Sequence, residues 1–97
     1  MKAIITVLGK DKVGIICGVS AVLKDLNVNI LDISQTIIND MFTMIMSVDL
    51  SKANADFNSI SQKIDEEGKK LGVIINIQHE DIFNSMHKIW GVKIKNA

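Results

Sequence analysis

Residues 2–26 read KAIITVLGKDKVGIICGVSAVLKDL, and a change of period inside this stretch decides the fold. From Lys2 to Leu8 the residues are apolar and β-branched on both sides of a period-two run, with Ala3, Ile5 and Val7 on one face and Ile4, Thr6 and Leu8 on the other. A strand apolar on both faces belongs in the interior of a sheet. Gly9 is expected to break it. From Gly14 the spacing lengthens: Ile15, Ile16, Val19, Val22, Leu23 and Leu26 recur at three- and four-residue intervals and draw one apolar stripe along a helix that ends near Asn27.

Beyond the helix, Val28 to Ile38 returns to period two. Asn29, Leu31, Ile33 and Ile37 fall on one side, and Asp32, Ser34 and Thr36 on the other. Asn39-Asp40 marks a hairpin, because both residues tolerate positive φ. The third strand follows with Phe42, Met44, Met46, Val48 and Leu50 on one face, where Met44 and Met46 read as core filling. Ser51 to Asn54 forms a loop in which Asn54 or Ser51 can cap the next helix. Phe57, Ile60, Ile64 and Leu71 give that helix its inner face, Lys63, Asp65, Glu66, Lys69 and Lys70 its outer one, and Gly72 its left-handed end. Strand four is Val73 to His79, apolar at odd positions and mostly polar at even ones. Asp81 to Trp90 then fits a short amphipathic helix through Ile82, Phe83, Met86, Ile89 and Trp90, and Gly91 stops it.

The order β-α-β-β-α-β defines an α+β, ferredoxin-like sandwich: a four-stranded antiparallel sheet with two helices on one face, plus a short C-terminal helix. A single domain spans residues 1–90, and residues 91–97 form a tail expected to fray. One sheet face is left bare of helices, and its residual apolar side chains ask for a partner subunit or the terminal helix as cover.

Composition removes several functions that this fold can host. The chain has 97 residues, of which 47% are hydrophobic and 23% charged, as expected of one globular domain. Its eleven basic residues are all Lys and balance eleven acidic ones, so the basic footprint and guanidinium forks of a nucleic-acid binder are missing. An acylphosphatase-like enzyme needs an Arg phosphate cradle after strand one, and an RNA-binding sheet needs aromatics on its central strands. Cys17 stands alone, which excludes an internal disulfide and a paired-Cys metal carrier. With neither a signal peptide nor a transmembrane run, the chain reads as soluble and cytoplasmic, with no membrane partner.

The chemistry gathers in the first loop, Gly9-Lys10-Asp11-Lys12-Val13-Gly14-Ile15. Free N–H groups at the helix start suit a carboxylate or another small anion, Gly14 permits close approach, and Asp11 offers an acceptor to an ammonium group. Together these features describe a site for a zwitterionic amino acid. The plainer account of the same residues has Asp11 capping the helix and Gly14 allowing the turn.

Asp11-Lys12-Val13-Gly14-Ile15 opening the first helix, and Leu26-Asn27-Val28-Asn29-Ile30 leading into the second strand, resemble an ACT domain. The terminal run Glu80-Asp81-Ile82-Phe83-Asn84-Ser85-Met86-His87-Lys88-Ile89 is similar to the end of the stand-alone ACT proteins of the UPF0237 group. The resemblance spans residues 1–89. It implies a non-catalytic regulatory module that binds an amino acid or similar small ligand between two subunits, as a homodimer. The implied ligand residues are Asp11, Gly14 and Ile15 in the loop of one subunit and Asn29 and Ile30 on the second strand of the other. Amino-acid-binding members often carry Asn in the loop; Asp11 here repels a carboxylate and favours an amine or a cation.

Other residues have bland readings. Cys17 is taken as a small buried residue beside the apolar stripe. His79 and His87 sit eight apart, which is no recognised metal spacing, so no metal and no cofactor is expected. No Ser has a placed His as base, which speaks against an enzyme. The expected function is a ligand-sensing dimer acting on a protein partner in trans; the alternative is a protein-interaction module without a ligand.

Overall fold

The computed structural model describes residues 1–10 and 13–81. Its elements follow the expected order: β1 (Lys2–Lys10), α1 (Ile15–Asp25), β2 (Asn29–Ile38), β3 (Met41–Asp49), α2 (Phe57–Leu71) and β4 (Ile74–His79). The sheet is antiparallel throughout and runs β2-β3-β1-β4, with both helices on one face. The expected terminal helix and the 91–97 tail lie outside the described residues, apart from Glu80 and Asp81, which open a helical turn.

Alternation of side chains builds the core. Ala3, Ile5 and Val7 of β1 are fully buried, as are Met44, Met46 and Val48 of β3, and Ile75 and Ile77 of β4 join the same layer. Ile15, Val19 and Leu23 of α1 and Ile60 and Ile64 of α2 cover it. Two glycines bring the layers together. A Cβ on Gly18 would meet Glu67 and Leu71 across the helix pair at 2.9–3.0 Å, and one on Gly68 would meet the Val73 carbonyl oxygen at 2.9 Å.

Local signals set most boundaries. Asn39 and Asp40 carry φ of 51° and 66°, the paired positive values of a tight hairpin whose twist matches its strands. Gly72 closes α2 at φ 72°, as expected. The cap of α2 is Asp56 rather than Asn54 or Ser51: its carboxylate accepts the Ser59 N–H at 2.8 Å. Asn54 serves instead as a tie, donating to the Asp25 carbonyl at 2.8 Å.

Three further expectations are corrected. β1 does not stop at Gly9 but pairs through Gly9–Phe42 and Lys10–Met41. There the missing side chain admits Val73, whose Cγ1 would lie 2.6 Å from a Cβ. Cys17 is exposed, not buried, because it points away from the Ile15–Val19–Leu23 stripe; Ile16 is also off that stripe and 41% exposed. In β2 a register shift between Ile30 and Asp32 leaves Leu31 as an extra residue. Ile30, Ile33 and Ile37 therefore stand opposite Val48, Met46 and Phe42 on the helix-facing side, and Asn29 and Leu31 are not in phase with them.

Candidate functional site

Four of the five residues singled out from the sequence are described, and they fall into two groups at opposite ends of α1. Gly14 is the helix N-cap at φ 95°, a left-handed conformation that L side chains rarely adopt. No described residue lies within 4 Å of where its Cβ would be, so the glycine answers a backbone need. Ile15, next to it, is buried in the core, and only its backbone can face a ligand. Asp11 lies outside the described residues.

The second group stands beyond the other end of the helix. Eleven residues of α1 span about 16 Å, which separates Gly14 from the start of β2. Leu26 ends the helix, Asn27 turns at φ 57°, and Asn29 then begins the strand, exposed. This corner is held by two side-chain amides: Asn27 donates to the Lys52 carbonyl at 2.7 Å and Asn54 to that of Asp25. Rigid ties of this kind keep Asn29 and Ile30 in place against the neighbouring loop.

Asn29 and Ile30 line an open groove of about 650 Å³ between α1 and the start of β2, together with Ser20, Leu23 and Lys24 of the helix and with Asp49, Ser51 and Lys52. The groove is net positive. Asp49 is engaged: its carboxylate accepts the Ser51 N–H at 3.0 Å and faces the amino terminus at 3.8 Å. Hydrogen bonds from the Ser51 backbone and hydroxyl, aided by the amino terminus and Lys2, hold its pKa below the usual carboxylate value. Lys24 and Lys52 have no ion pair among the described residues. Such a wall suits a ligand that carries a carboxylate.

Sequence reasoning missed Ser20, Lys24, Asp49, Ser51 and Lys52. Ser20 and Lys24 are four apart, so they share a helix face, and Asp49-x-Ser51 is an Asx-turn pattern at a strand end. These signals were present but generic. Of the two histidines, His79 stacks on Phe57 with ring centroids 4.3 Å apart, and His87 lies outside the described residues. No cluster of three metal-ligating side chains occurs among the described residues.

The strand order β2-β3-β1-β4 with two helices on one face defines a ferredoxin-like α+β module. The chain belongs to the ACT domain family, whose profile matches residues 2–78. A UPF0237 protein of Clostridium acetobutylicum is 61% identical over 89 residues, covering 92% of this chain and all of that protein. The structure of an ACT domain protein from Streptococcus pneumoniae superposes with a TM-score of 0.76 at 48% identity, covering 86% of this chain and 93% of that one. The ligand-free regulatory subunit of aspartate kinase from Thermus thermophilus shares the fold, with a TM-score of 0.62 at 17% identity over 79% of this chain and half of that one. No helix among the described residues is long and apolar enough to cross a membrane.

Proposed function

We propose that this protein is a non-catalytic, cytoplasmic sensor that binds an amino acid between two copies of itself and passes the signal to a protein partner in trans. One observation carries the reading: Gly14 and Asn29 stand at opposite ends of α1, so a single protomer cannot close a site with both. A two-fold pairing along β2 solves this. β2 is an edge strand of ten residues, and antiparallel pairing lays the loop end of one protomer beside the groove end of the other. Ile33 and Ile37, 42% and 56% exposed on the helix-facing side of that edge, supply the apolar contact.

In this arrangement the Gly14 helix start offers N–H groups to the ligand carboxylate, and Asn29 with the Lys24 and Lys52 wall orients it. Asp11 receives the ammonium group. In this reading the output lies with a protein partner in trans.

The test is a thermal-shift screen against the common amino acids, paired with light scattering on the same sample. A ligand at about a hundred times its Kd adds about 2.7 kcal/mol to the native state. Asn29→Ala, at an exposed strand start, should erase that rise and leave the ligand-free melting temperature within about 1 °C of wild type, consistent with a surface change of under ~0.5 kcal/mol. A dimer without any stabilising amino acid supports the interaction module instead, and a monomer removes both the site and the reading.

A further inference from the structure

The end of α1 is closed without help from a charged side chain. The carbonyls from Val22 to Leu26 all accept protein N–H groups: Val22 from Leu26 at 3.0 Å, Leu23 from Val28 at 2.9 Å and Lys24 from Asn27 at 3.0 Å. Asn54 supplies the other two, its side chain to Asp25 at 2.8 Å and its backbone to Leu26 at 3.0 Å. A lysine in the last turn of a helix normally serves such carbonyls. Lys24 stands in that turn with every one of them already partnered.

Neither lysine of the groove is engaged by a carboxylate. Lys24 and Lys52 both line it and form no ion pair among the described residues. The carboxylates nearest to them in sequence are committed elsewhere. Asp49 accepts the Ser51 N–H and faces the amino terminus, Asp56 caps α2, and Asp32 accepts the Ile33 N–H at 2.9 Å. Asp25 lines a different groove, between the two helices, together with Lys63 and Lys70. The Asn29 groove is thus left with two cations and the hydroxyls of Ser20 and Ser51 around it. A basic ligand side chain would meet like charge there. An aliphatic one finds little apolar surface, since Leu23 and Val28, which also line the groove, are 1% and 7% exposed.

We propose that the amino acid sensed by this protein has an acidic side chain, that of aspartate or glutamate, and that Lys24 and Lys52 hold its side-chain carboxylate beside Asn29. The inference rests on the reading of a ligand shared between two protomers. There the α-carboxylate goes to the helix start at Gly14 of the partner subunit, and the two lysines are left for a second anionic group.

Isothermal titration of the full chain tests this with L-aspartate against L-asparagine and L-glutamate against L-glutamine, pairs that differ in charge and hardly in size. One acid should bind about tenfold more tightly than its amide at low ionic strength, and the margin should shrink as salt is raised. Lys24→Gln combined with Lys52→Gln should bring the margin to about twofold or less by weakening the acid alone, as expected when exposed charge pairs are removed. Both lysines are exposed, so the ligand-free melting temperature of this variant should match wild type. A neutral or basic amino acid that binds as tightly as either acid overturns the proposal and leaves the sensing reading standing. So does an acid preference that survives the double substitution, which puts the discriminating charge outside this groove. Absence of binding by every common amino acid overturns the sensing reading itself, and this inference with it.

Discussion

Gly9, near the end of β1, and Gly14, at the start of α1, do different physical work, and substitution separates them. Gly9 sits in a strand where a Cβ would lie 2.6 Å from Val73 Cγ1 and 3.0 Å from its Cβ, so the demand is for space. Gly9→Ala should cost about 1–3 kcal/mol in urea unfolding, as an overpacked contact does. Val73→Ala in the same chain should return part of that loss, because the two sites touch. No described residue lies within 4 Å of where a Gly14 Cβ would be, and its φ is 95°, so the demand there is on the backbone. Gly14→Ala should cost about 1–2 kcal/mol with no second-site rescue, and Gly14→Asn less, since Asn tolerates the left-handed region better. A rescue of Gly14→Ala by trimming any neighbour would contradict the backbone account. The sequence marks both positions as special but does not say why. Whether a glycine needs room or a dihedral depends on what packs opposite, and Val73 is 64 residues away from Gly9.

Elements end where side chains satisfy their free backbone groups, and charge makes one of these ends sensitive to acid. Asp56 caps α2, and hydrogen bonds from the Ser59 hydroxyl and backbone N–H hold its pKa below the ordinary 3.8. The folded value is the lower one. Its contribution is therefore complete above pH 3.8 and fades as pH falls through the lowered folded value. Asp56→Asn keeps an oxygen acceptor but cannot titrate, so the melting-temperature gap between wild type and variant should narrow as pH drops from 5 toward 2.5. A gap that stays constant would mean that the carboxylate charge adds nothing to the cap. The β2–β3 hairpin permits a gain. Asp40 holds φ 66° at the second turn position, where glycine is preferred, so Asp40→Gly should raise stability by up to about 1 kcal/mol, read from the urea midpoint. Turns and the α2 end were legible because each depends on one or two adjacent residues. The α2 cap falls two residues beyond Asn54 and five beyond Ser51, because Ser51, Asn54 and Asp56 are all competent cap types and the chain path between them selects Asp56.

At the scale of the whole molecule the strand order was legible and the phase of β2 was not. An alternating pattern carries no mark of an inserted residue, and Leu31 fits the period until the pairing with Val48 and Ser47 shows it to be extra. That one residue decides which side chains border the groove. It places Ile33 and Ile37 opposite Met46 and Phe42, at the rim that the two helices leave bare, and so turns the free edge of β2 into an apolar surface. Natural edge strands are usually blunted by charge, and ten residues of β2 carry only Asp32. If this edge is where two copies meet, Ile33→Lys should halve the mass seen by light scattering while leaving far-UV circular dichroism unchanged, because a side chain already 42% exposed can extend a charge into solvent without disturbing the core. Amino-acid-dependent stabilisation should vanish in the same variant, since each monomer retains only half of the groups that hold the ligand. Loss of the dimer with ligand binding intact would place the whole site within one protomer. A dimer that survives Ile33→Lys would move the interface away from β2, and with it the reason for Gly14 and Asn29 to act on one molecule.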